Sequence, residues 1–261
     1  MQAPQSLLVQ SHIDKRHKQG DGWGVGWMSK GHPQLFRSPR PLYRDRKQLE
    51  QATRHAHGSL LVSHVRWASN PLKLPRHELI GLTHTQPFQH GPWLFVHNGT
   101  LYIPREVKSQ LGPWAKYVKG KNDSEVLFYW LLRTVVHAGR KKNWRSAIRD
   151  SFKELDKIWQ RCKSHYPLFK YPYHGLNWVL TDGRLLLAFC YVDPRGWDKA
   201  KALCDRKQPY YQLQVQRTEH TIAVASEPLT FENNWQPMRH GQLLIAKRQG
   251  RHIAVQYQQV K

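Results

Sequence analysis

The rhythm of apolar and polar positions changes along this chain, and the first change falls on glycine. From Gly20 to Trp27 the run is Gly-Asp-Gly-Trp-Gly-Val-Gly-Trp, with glycine at every second place. Side chains alternate across a strand, so this run puts bare backbone on one face and Trp and Val on the other. That suits a strand pressed close to another backbone or to a ligand. Lys47 to His57 predicts a short helix ended by Gly58. Ser59 to Val65 and Trp93 to His97 read as strands, the second entering a turn at Asn98-Gly99.

Helical spacing then takes over. Asn122 to Ala138 opens with the capping-box spacing Asn122 to Glu125 and ends at Gly139. Asn143 to Cys162 carries Trp144, Ile148, Phe152, Leu155 and Trp159 along one face; Arg140, Lys141 and Lys142 read as a solvated connection between the two helices. Strand texture returns with Leu176–Thr181, the turn signal Asp182-Gly183, and Arg184–Val192, a hairpin. Tyr211–Arg217, Thr221–Ser226, Gln242–Lys247 and His252–Tyr257 read as further strands, and Pro194–Pro209 as a polar insertion among them. Strands, then helices, then strands give an α+β class rather than alternating βαβ. No linker is visible, so residues 1–261 are read as a single domain.

Composition narrows the function classes. Lys and Arg number 41 against 18 Asp and Glu, a formal charge of +23. Such an excess attracts nucleic acid or an anionic membrane surface. The basic residues are scattered over the whole chain rather than gathered in one block, so a nucleic-acid role ranks below a general basic bias. Hydrophobic residues are 39%, with 11 Trp, and mean hydropathy is -0.70. No apolar run approaches the length of a membrane span and no secretion signal opens the chain. The three cysteines, Cys162, Cys190 and Cys204, lack metal spacing, and an odd count argues against a disulfide framework. A reducing, cytoplasmic setting follows. Gly22-x-Gly24-x-Gly26 fails as a dinucleotide fingerprint because Trp27 stands where the third glycine belongs. His77-Glu78 fails as the start of HExxH because position 81 is Gly. No cofactor or metal is expected.

Four segments carry candidate chemistry: Asp21–Trp27, His64–Ser69, Phe95–Thr100 and Asn122–Glu125. Arg66 at a strand end can hold a carboxylate in bidentate fashion. The Asn98 amide and the Gly99 N–H can converge on one point and stabilise an oxyanion. Asp123 at a helix N-terminus stays ionised and can hold an ammonium group. Taken singly, each has a plainer role: a surface ion pair, a hairpin turn, a helix start. Together they describe a pocket for an α-amino acid whose side chain undergoes acyl transfer.

The order Asp-Gly-Trp-Gly-Val-Gly-Trp, His-Val-Arg-Trp-Ala-Ser, Val-His-Asn-Gly-Thr-Leu, Asn-Asp-Ser-Glu-Val resembles the class II glutamine amidotransferases, a family of N-terminal nucleophile hydrolases. The likeness is nearest to stand-alone members, including those that hydrolyse a γ-glutamyl amide in the ergothioneine pathway. Leu176-Asn177-Trp178, Thr181-Asp182-Gly183, Ala225–Leu229 and Asn234-Trp235 extend it over nearly the whole chain. The resemblance implies a four-layer αββα sandwich and a site in which Arg66 holds the substrate α-carboxylate, Trp67 shapes the wall, Asn98 and Gly99 form the oxyanion hole and Asp123 holds the α-amino group. It implies glutamine or a γ-glutamyl conjugate as substrate, and a partner protein as possible acceptor of the ammonia.

Two positions depart from the family pattern. Members open, after Met removal, with a nucleophilic Cys whose own amine assists proton transfer; here Gln2 follows Met1. Ala3 to Ser11 resembles a stretch after the family's first strand, so the expectation is an N-terminally truncated domain lacking that strand, poorly stable alone or in need of a partner edge. Many members also carry His before Pro-Phe, where this chain has Gln86. None of the three cysteines combines a thiol with an N-terminal amine, so none is expected to substitute. The readings that follow are amide hydrolysis by a longer form of the chain, or a non-catalytic glutamine or γ-glutamyl binder.

Overall fold

In the computed structural model, residues 3–14, 18–139, 143–192, 201–250 and 252–261 are described, with the backbone alone at 137–139. The connection at 140–142 and residues 194–200 of the polar insertion lie outside them.

The alternating glycines sit on strand β1 (Trp23–Ser29). Trp23, Val25 and Trp27 point to one side and pack with Leu49 and Ala52 of helix α2 (Arg46–His55) and with Leu7 and Leu8 of helix α1 (Leu7–Ile13). The glycines face the other way. A Cβ on Gly24 would lie 2.4 Å from the Gln86 carbonyl oxygen, and one on Gly26 would lie 3.2 Å from the Leu94 side chain. Gly24 therefore excludes a side chain because backbone of a second layer lies directly on the strand, while Gly26 is tight only against the side chains of Leu35 and Leu94.

Strand β2 (His32–Ser38) returns antiparallel along β1. It is not among the strands read from the sequence, and it contains Pro33, which cannot donate to a ladder. The turn is Lys30-Gly31, with φ of 50° and 82°, the left-handed pair that a tight hairpin needs. Pro33 sits opposite Met28, whose N–H is turned the other way, onto the Leu60 carbonyl at 3.3 Å. No ladder bond is lost to the proline. Strand β3 (Leu61–Val65) pairs on the far side of β1, giving the order β2-β1-β3.

In chain order there follow β4 (Phe88–His90), β5 (Trp93–Leu101), helix α3 (Pro104–Ser109), helix α4 (Asp123–Gly139) and helix α5 (Trp144–Cys162). Then come β6 (Tyr173–Thr181), β7 (Leu185–Cys190), β8 (Gln214–Arg217), β9 (Ile222–Ala225), β10 (Trp235–Pro237), β11 (Gln242–Gln249) and β12 (His252–Gln259). One six-stranded antiparallel sheet has the order β12-β11-β7-β6-β5-β4, and a three-stranded sheet has the order β10-β8-β9.

One face of the six-stranded sheet is covered by α4 and α5. Phe128 and Trp130 of α4 and Phe152 and Trp159 of α5 share a core with Phe95, Trp178 and Phe189. Trp144, Ile148, Phe152, Leu155 and Trp159 are all buried, the stripe that their spacing predicts. Asn122 caps α4 by accepting the Glu125 N–H at 2.9 Å. The Glu125 carboxylate does not reach back to residue 122. It accepts the N–H groups of Lys119 and Gly120 instead, at 3.1 and 2.6 Å.

On the opposite face, Ala188, Cys190, Leu244 and Ala246 pack against Leu213, Val215 and Met238 beside the β10-β8-β9 sheet. The β2-β1-β3 sheet covers the same side near β5 through Gly24 and Gly26. The order of layers is helices α4 and α5, the large sheet, a second β layer in two halves, and helices α1 and α2: the αββα sandwich.

The turn expected at Asn98-Gly99 is not there. Strand β5 runs through both residues to Leu101, with a shift of register between Gly99 and Leu101. The neighbouring strand decides this. A Cβ on Gly99 would lie 2.0 Å from the Gly175 carbonyl oxygen, so β6 keeps β5 in the ladder where the dipeptide alone would let the chain reverse.

Candidate functional site

Arg66 follows β3 directly and is 4% exposed. Its N–H bonds the Gly22 carbonyl and its carbonyl accepts from the Asp21 N–H, both at 2.9 Å, so the β1–β3 ladder continues one step beyond the strand. The guanidinium turns inward, and Nη1 donates to the Leu79 carbonyl at 2.7 Å and to the Asp21 carbonyl at 3.4 Å. Burial draws its pKa down, and the carboxylates of Asp21 and Asp123 oppose that. Asp21, 2% exposed, accepts the Ala68 N–H at 2.8 Å and is ion-paired with Arg76. It thereby ties the segment after Arg66 to the start of β1.

Asp123 is the first residue of α4 and is 2% exposed. One carboxylate oxygen accepts from Ser69 Oγ at 2.9 Å and the other from the Leu101 N–H at 2.7 Å. Arg66 and Asp123 thus belong to one buried polar cluster in which each already has internal partners. Trp67, beside Arg66, is 47% exposed.

The strand that carries Asn98 is held from the side by Gln86. The Gln86 amide accepts the His97 N–H at 2.6 Å and donates to the His97 carbonyl at 3.1 Å. The β4–β5 register runs Phe88 with Phe95 and His90 with Trp93. Extended by two residues, it would place residue 86 opposite His97. The side chain makes there the two bonds that a main chain would make, just before Pro87, which has no N–H to offer. A neutral imidazole has one donor and one acceptor on opposite sides of the ring and cannot make this paired contact. That is a physical reason for Gln rather than His at this position.

His97 itself is 2% exposed, with Nδ1 3.0 Å from Ser124 Oγ and Nε2 3.1 Å from the Gly175 carbonyl. Burial lowers its pKa, against the pull of Asp123 and the Gly175 carbonyl.

Between the two halves of the second β layer lies a cleft of about 690 Å³. His64, His97, Asn98, Asn177, Ser226 and Glu227 supply polar groups to its lining, while Val96, Val179, Leu186 and Ile253 supply apolar ones. Arg66, Trp67, Gly99 and Asp123 do not line it. Of the sequence-derived site residues, then, Asn98 faces the cleft and Arg66 and Asp123 lie in the polar cluster associated with His97. His64 Nδ1 is buried without a hydrogen-bond partner. Burial first, then the Arg66 guanidinium and the His97 ring, push His64 down to about 3.

None of the cysteines lines the cleft. Burial raises all three thiols above their ordinary range, Cys190 to about 12 and Cys204 to about 11. A thiolate is the nucleophilic form, so these are poor nucleophiles at neutral pH. Among the described residues, no cluster of three or more His, Cys, Asp or Glu side chains could hold a metal ion.

Three organising residues sit inside the sequence motifs, two of them, Asn177 and Glu227, without a role in the sequence reading. Asn177 donates to the Tyr211 carbonyl at 2.7 Å and accepts the Tyr191 N–H at 2.8 Å. Glu227, 3% exposed, accepts the N–H groups of Leu203 and Cys204 at 2.5 and 2.7 Å. Gln86 is the third. Each is a polar residue whose partners come from a distant strand or loop, and no local spacing announces that.

The sandwich and its strand-end cluster define a family. This chain belongs to the class-II glutamine amidotransferases, whose family model matches residues 7–261. It is similar to the probable glutamine amidotransferase DUG3 of Saccharomyces cerevisiae, 25% identical over 94% of this chain and 74% of that one. Over a shorter stretch it is 37% identical to the gamma-glutamyl-hercynylcysteine sulfoxide hydrolase of Mycobacterium tuberculosis, covering 38% of this chain and 41% of that protein. The fold matches that of a glutamine aminotransferase class-II domain protein from Silicibacter pomeroyi, with a TM-score of 0.61 at 23% identity over 90% of each chain. It also matches the glutamine phosphoribosylpyrophosphate amidotransferase of B. subtilis, with a TM-score of 0.58 at 14% identity over 95% of this chain and 46% of that one. Among the described residues, no helix is long and apolar enough to cross a membrane.

Proposed function

We propose that this chain recognises the γ-glutamyl group of glutamine or of a γ-glutamyl amide, and that hydrolysis of the bound amide requires a thiol other than its own three. The supporting observation is the meeting of Arg66 and Asp123, opposite charges buried in one cluster beside the strand that carries Asn98 to the cleft. In this reading Arg66 takes the α-carboxylate and Asp123 the ammonium group, with Trp67 shaping the wall. Asn98 and the Gly99 N–H stabilise the oxyanion that forms when the amide carbon is attacked. The name of the Mycobacterium relative supports a γ-glutamyl substrate. Because Arg66 and Asp123 already hold internal partners, the substrate must displace some of them, and binding should be weak.

The chemistry is thiolate attack on the γ-amide carbon, loss of the amine, and hydrolysis of the γ-glutamyl thioester to glutamate. A partner protein could take up the released ammonia. Three cysteines without disulfide partners fit a reducing, cytoplasmic setting.

Calorimetry with glutamine and with a γ-glutamyl amide tests recognition. We expect binding that Arg66→Ala abolishes. No heat at millimolar ligand, or heat unchanged by Arg66→Ala, would remove this reading. A second reading, a binder without hydrolysis, is favoured by the raised thiols. It predicts no release of glutamate by the 261-residue chain. Release that persists after all three cysteines are replaced by serine would refute the need for a thiol.

A further inference from the structure

Some outer strands of this fold are blunted and one is not. In β2 the Pro33 nitrogen is on the outer side, because Met28 opposite it turns its N–H to Leu60. After β10 the Met238 N–H donates to the Leu213 carbonyl at 2.8 Å, toward β8, so Pro237 is turned outward. β4 is three residues long and follows Pro87. A proline turned outward, or a strand cut short, keeps a further strand from adding. Strand β12, at the other edge of the large sheet, has neither device. It is eight residues long, His-Ile-Ala-Val-Gln-Tyr-Gln-Gln, and pairs with β11 over its whole length without a break in register. In a chain that is 23% charged, it contains no Lys, Arg, Asp or Glu.

Which backbone groups of β12 are open follows from the ladders. The Arg248 N–H donates to the Arg184 carbonyl at 2.9 Å, so the even-numbered residues of β11 are turned toward β7 and the odd-numbered ones toward β12. The even-numbered residues of β12 answer them, and the Val260 N–H continues the pattern by donating to the Gly241 carbonyl at 2.9 Å. Ile253, Val255, Tyr257 and Gln259 are therefore turned outward. The Gln259 carbonyl accepts from Arg145 Nε of α5 at 2.7 Å. Among the described residues, no hydrogen bond from outside the sheet reaches the backbone of Ile253, Val255 or Tyr257. The side chains of Ile253 and Val255 pack against the cluster that holds Leu213, Val215 and Met238, and Tyr257 is 47% exposed.

We propose that β12 is a pairing edge for a second copy of this chain. Two identical antiparallel strands are related by a two-fold axis, and the open set is symmetric about Val255. With the axis there, Val255 stands opposite Val255 of the second copy and Ile253 opposite its Tyr257. All three pairs are of the hydrogen-bonded kind and exchange two bonds each, about six in all. Apolar side chains meet on this face. On the other face Ala254 stands opposite Gln256 and His252 opposite Gln258. No Lys or Arg opposes another across the pair, which matters for two chains that each carry +23, because like charges set opposite each other destabilise a strand pair. The contact is isologous, so it closes at two copies and uses up the edge on both. The two six-stranded sheets then become one continuous sheet. The proposal rests on this edge alone, not on the reading of the pocket.

Analytical sedimentation of the 261-residue chain from about 1 to about 100 μM tests this, a range in which micromolar affinity is visible. We expect a monomer–dimer equilibrium. The dimer fraction should rise between about 0.1 and about 1 M salt, because the screening length falls from about 10 to about 3 Å and weakens the repulsion between copies. The amides of Ile253, Val255 and Tyr257 should exchange at least about tenfold more slowly at the high concentration than at the low one, and those of Ala254 and Gln256, already turned to β11, should change less. Val255→Pro removes the outward N–H at the two-fold axis and no bond to β11. Tyr257→Lys sets a charge on the edge at an exposed side chain, and it carries the test if the proline variant does not fold. Each should weaken association at least about tenfold. The proposal is overturned if the chain stays monomeric at about 100 μM and about 1 M salt, or if Tyr257→Lys associates as tightly as the unchanged chain. It is overturned equally if the three outward amides exchange slowly at every concentration, since the edge would then be covered within one copy.

Discussion

Gln86→Met is the sharpest single perturbation of the site's support. Methionine keeps a similar length and volume, so little cavity is created. What it removes is the pair of hydrogen bonds at 2.6 and 3.1 Å to the His97 N–H and carbonyl. Gln86 is 3% exposed and His97 is 2% exposed, so water does not readily replace the amide. Each buried backbone group left without a partner costs about 1–3 kcal/mol. The two together predict a loss of about 2–6 kcal/mol. Urea unfolding of the native and substituted chains measures it, and amide exchange at His97 reports where it acts. A midpoint shift worth under about 0.5 kcal/mol, the size of a neutral surface change, would refute the argument that this side chain completes the ladder.

Gln86→Glu separates hydrogen bonding from size. One carboxylate oxygen still accepts the His97 N–H, but the other faces the His97 carbonyl. Protonation turns that oxygen into a donor, so the folded state favours the neutral acid and raises its pKa above the unfolded value. The penalty is therefore absent at low pH and grows as pH rises through the unfolded carboxyl value of about 4.3 until the folded pKa is passed. Gln86→Met has no such pH dependence, and equal profiles for the two variants would contradict the assignment.

Other expectations follow from the same geometry. His64 titrates below its ordinary 6.5, at about 3. The unfolded chain therefore binds the proton first, and stability should fall as pH drops from about 6.5 toward 3. His64→Gln should flatten melting curves recorded between pH 7.5 and 5, and an unchanged slope would assign the acid sensitivity elsewhere. Gly99→Ala brings a Cβ to 2.0 Å from the Gly175 carbonyl and should cost about 3 kcal/mol or more in urea unfolding, because backbone rather than a flexible side chain must move. Glu227→Ala frees the N–H groups of Leu203 and Cys204, so limited proteolysis should cut between residues 201 and 208 several times faster; an unchanged rate would show that other contacts hold this loop. The charge of +23 gives a last check, since electrostatic binding to DNA or RNA is strongest at low salt and its absence there would exclude a nucleic-acid role.

Much of this protein is legible from local order. The alternating glycines of β1, the apolar stripe of α5, the Asp182-Gly183 turn and the Asn122 cap each depend on neighbours within a few residues, and each formed as its spacing predicts. The family is legible too, because its motifs lie in a fixed order along the chain. What the sequence left open are features whose cause lies far away. β2 accommodates Pro33 because Met28, opposite it, turns its N–H toward Leu60. The strand continues through Asn98-Gly99 because Gly175 lies against it, and Gln86 acts as a ladder residue only because His97 comes to stand opposite.

The same division runs through the site. The sequence by itself determines which charges and amides are available, Arg66, Asp123, Asn98 and Gly99, since side-chain chemistry is carried by each residue alone. Only the tertiary structure decides that Arg66 and Asp123 share a buried cluster with partners of their own, and that Asn98 faces the cleft. Those are statements about which backbone comes near which, and that is settled by burying apolar faces between layers, a cooperative property no single segment contains.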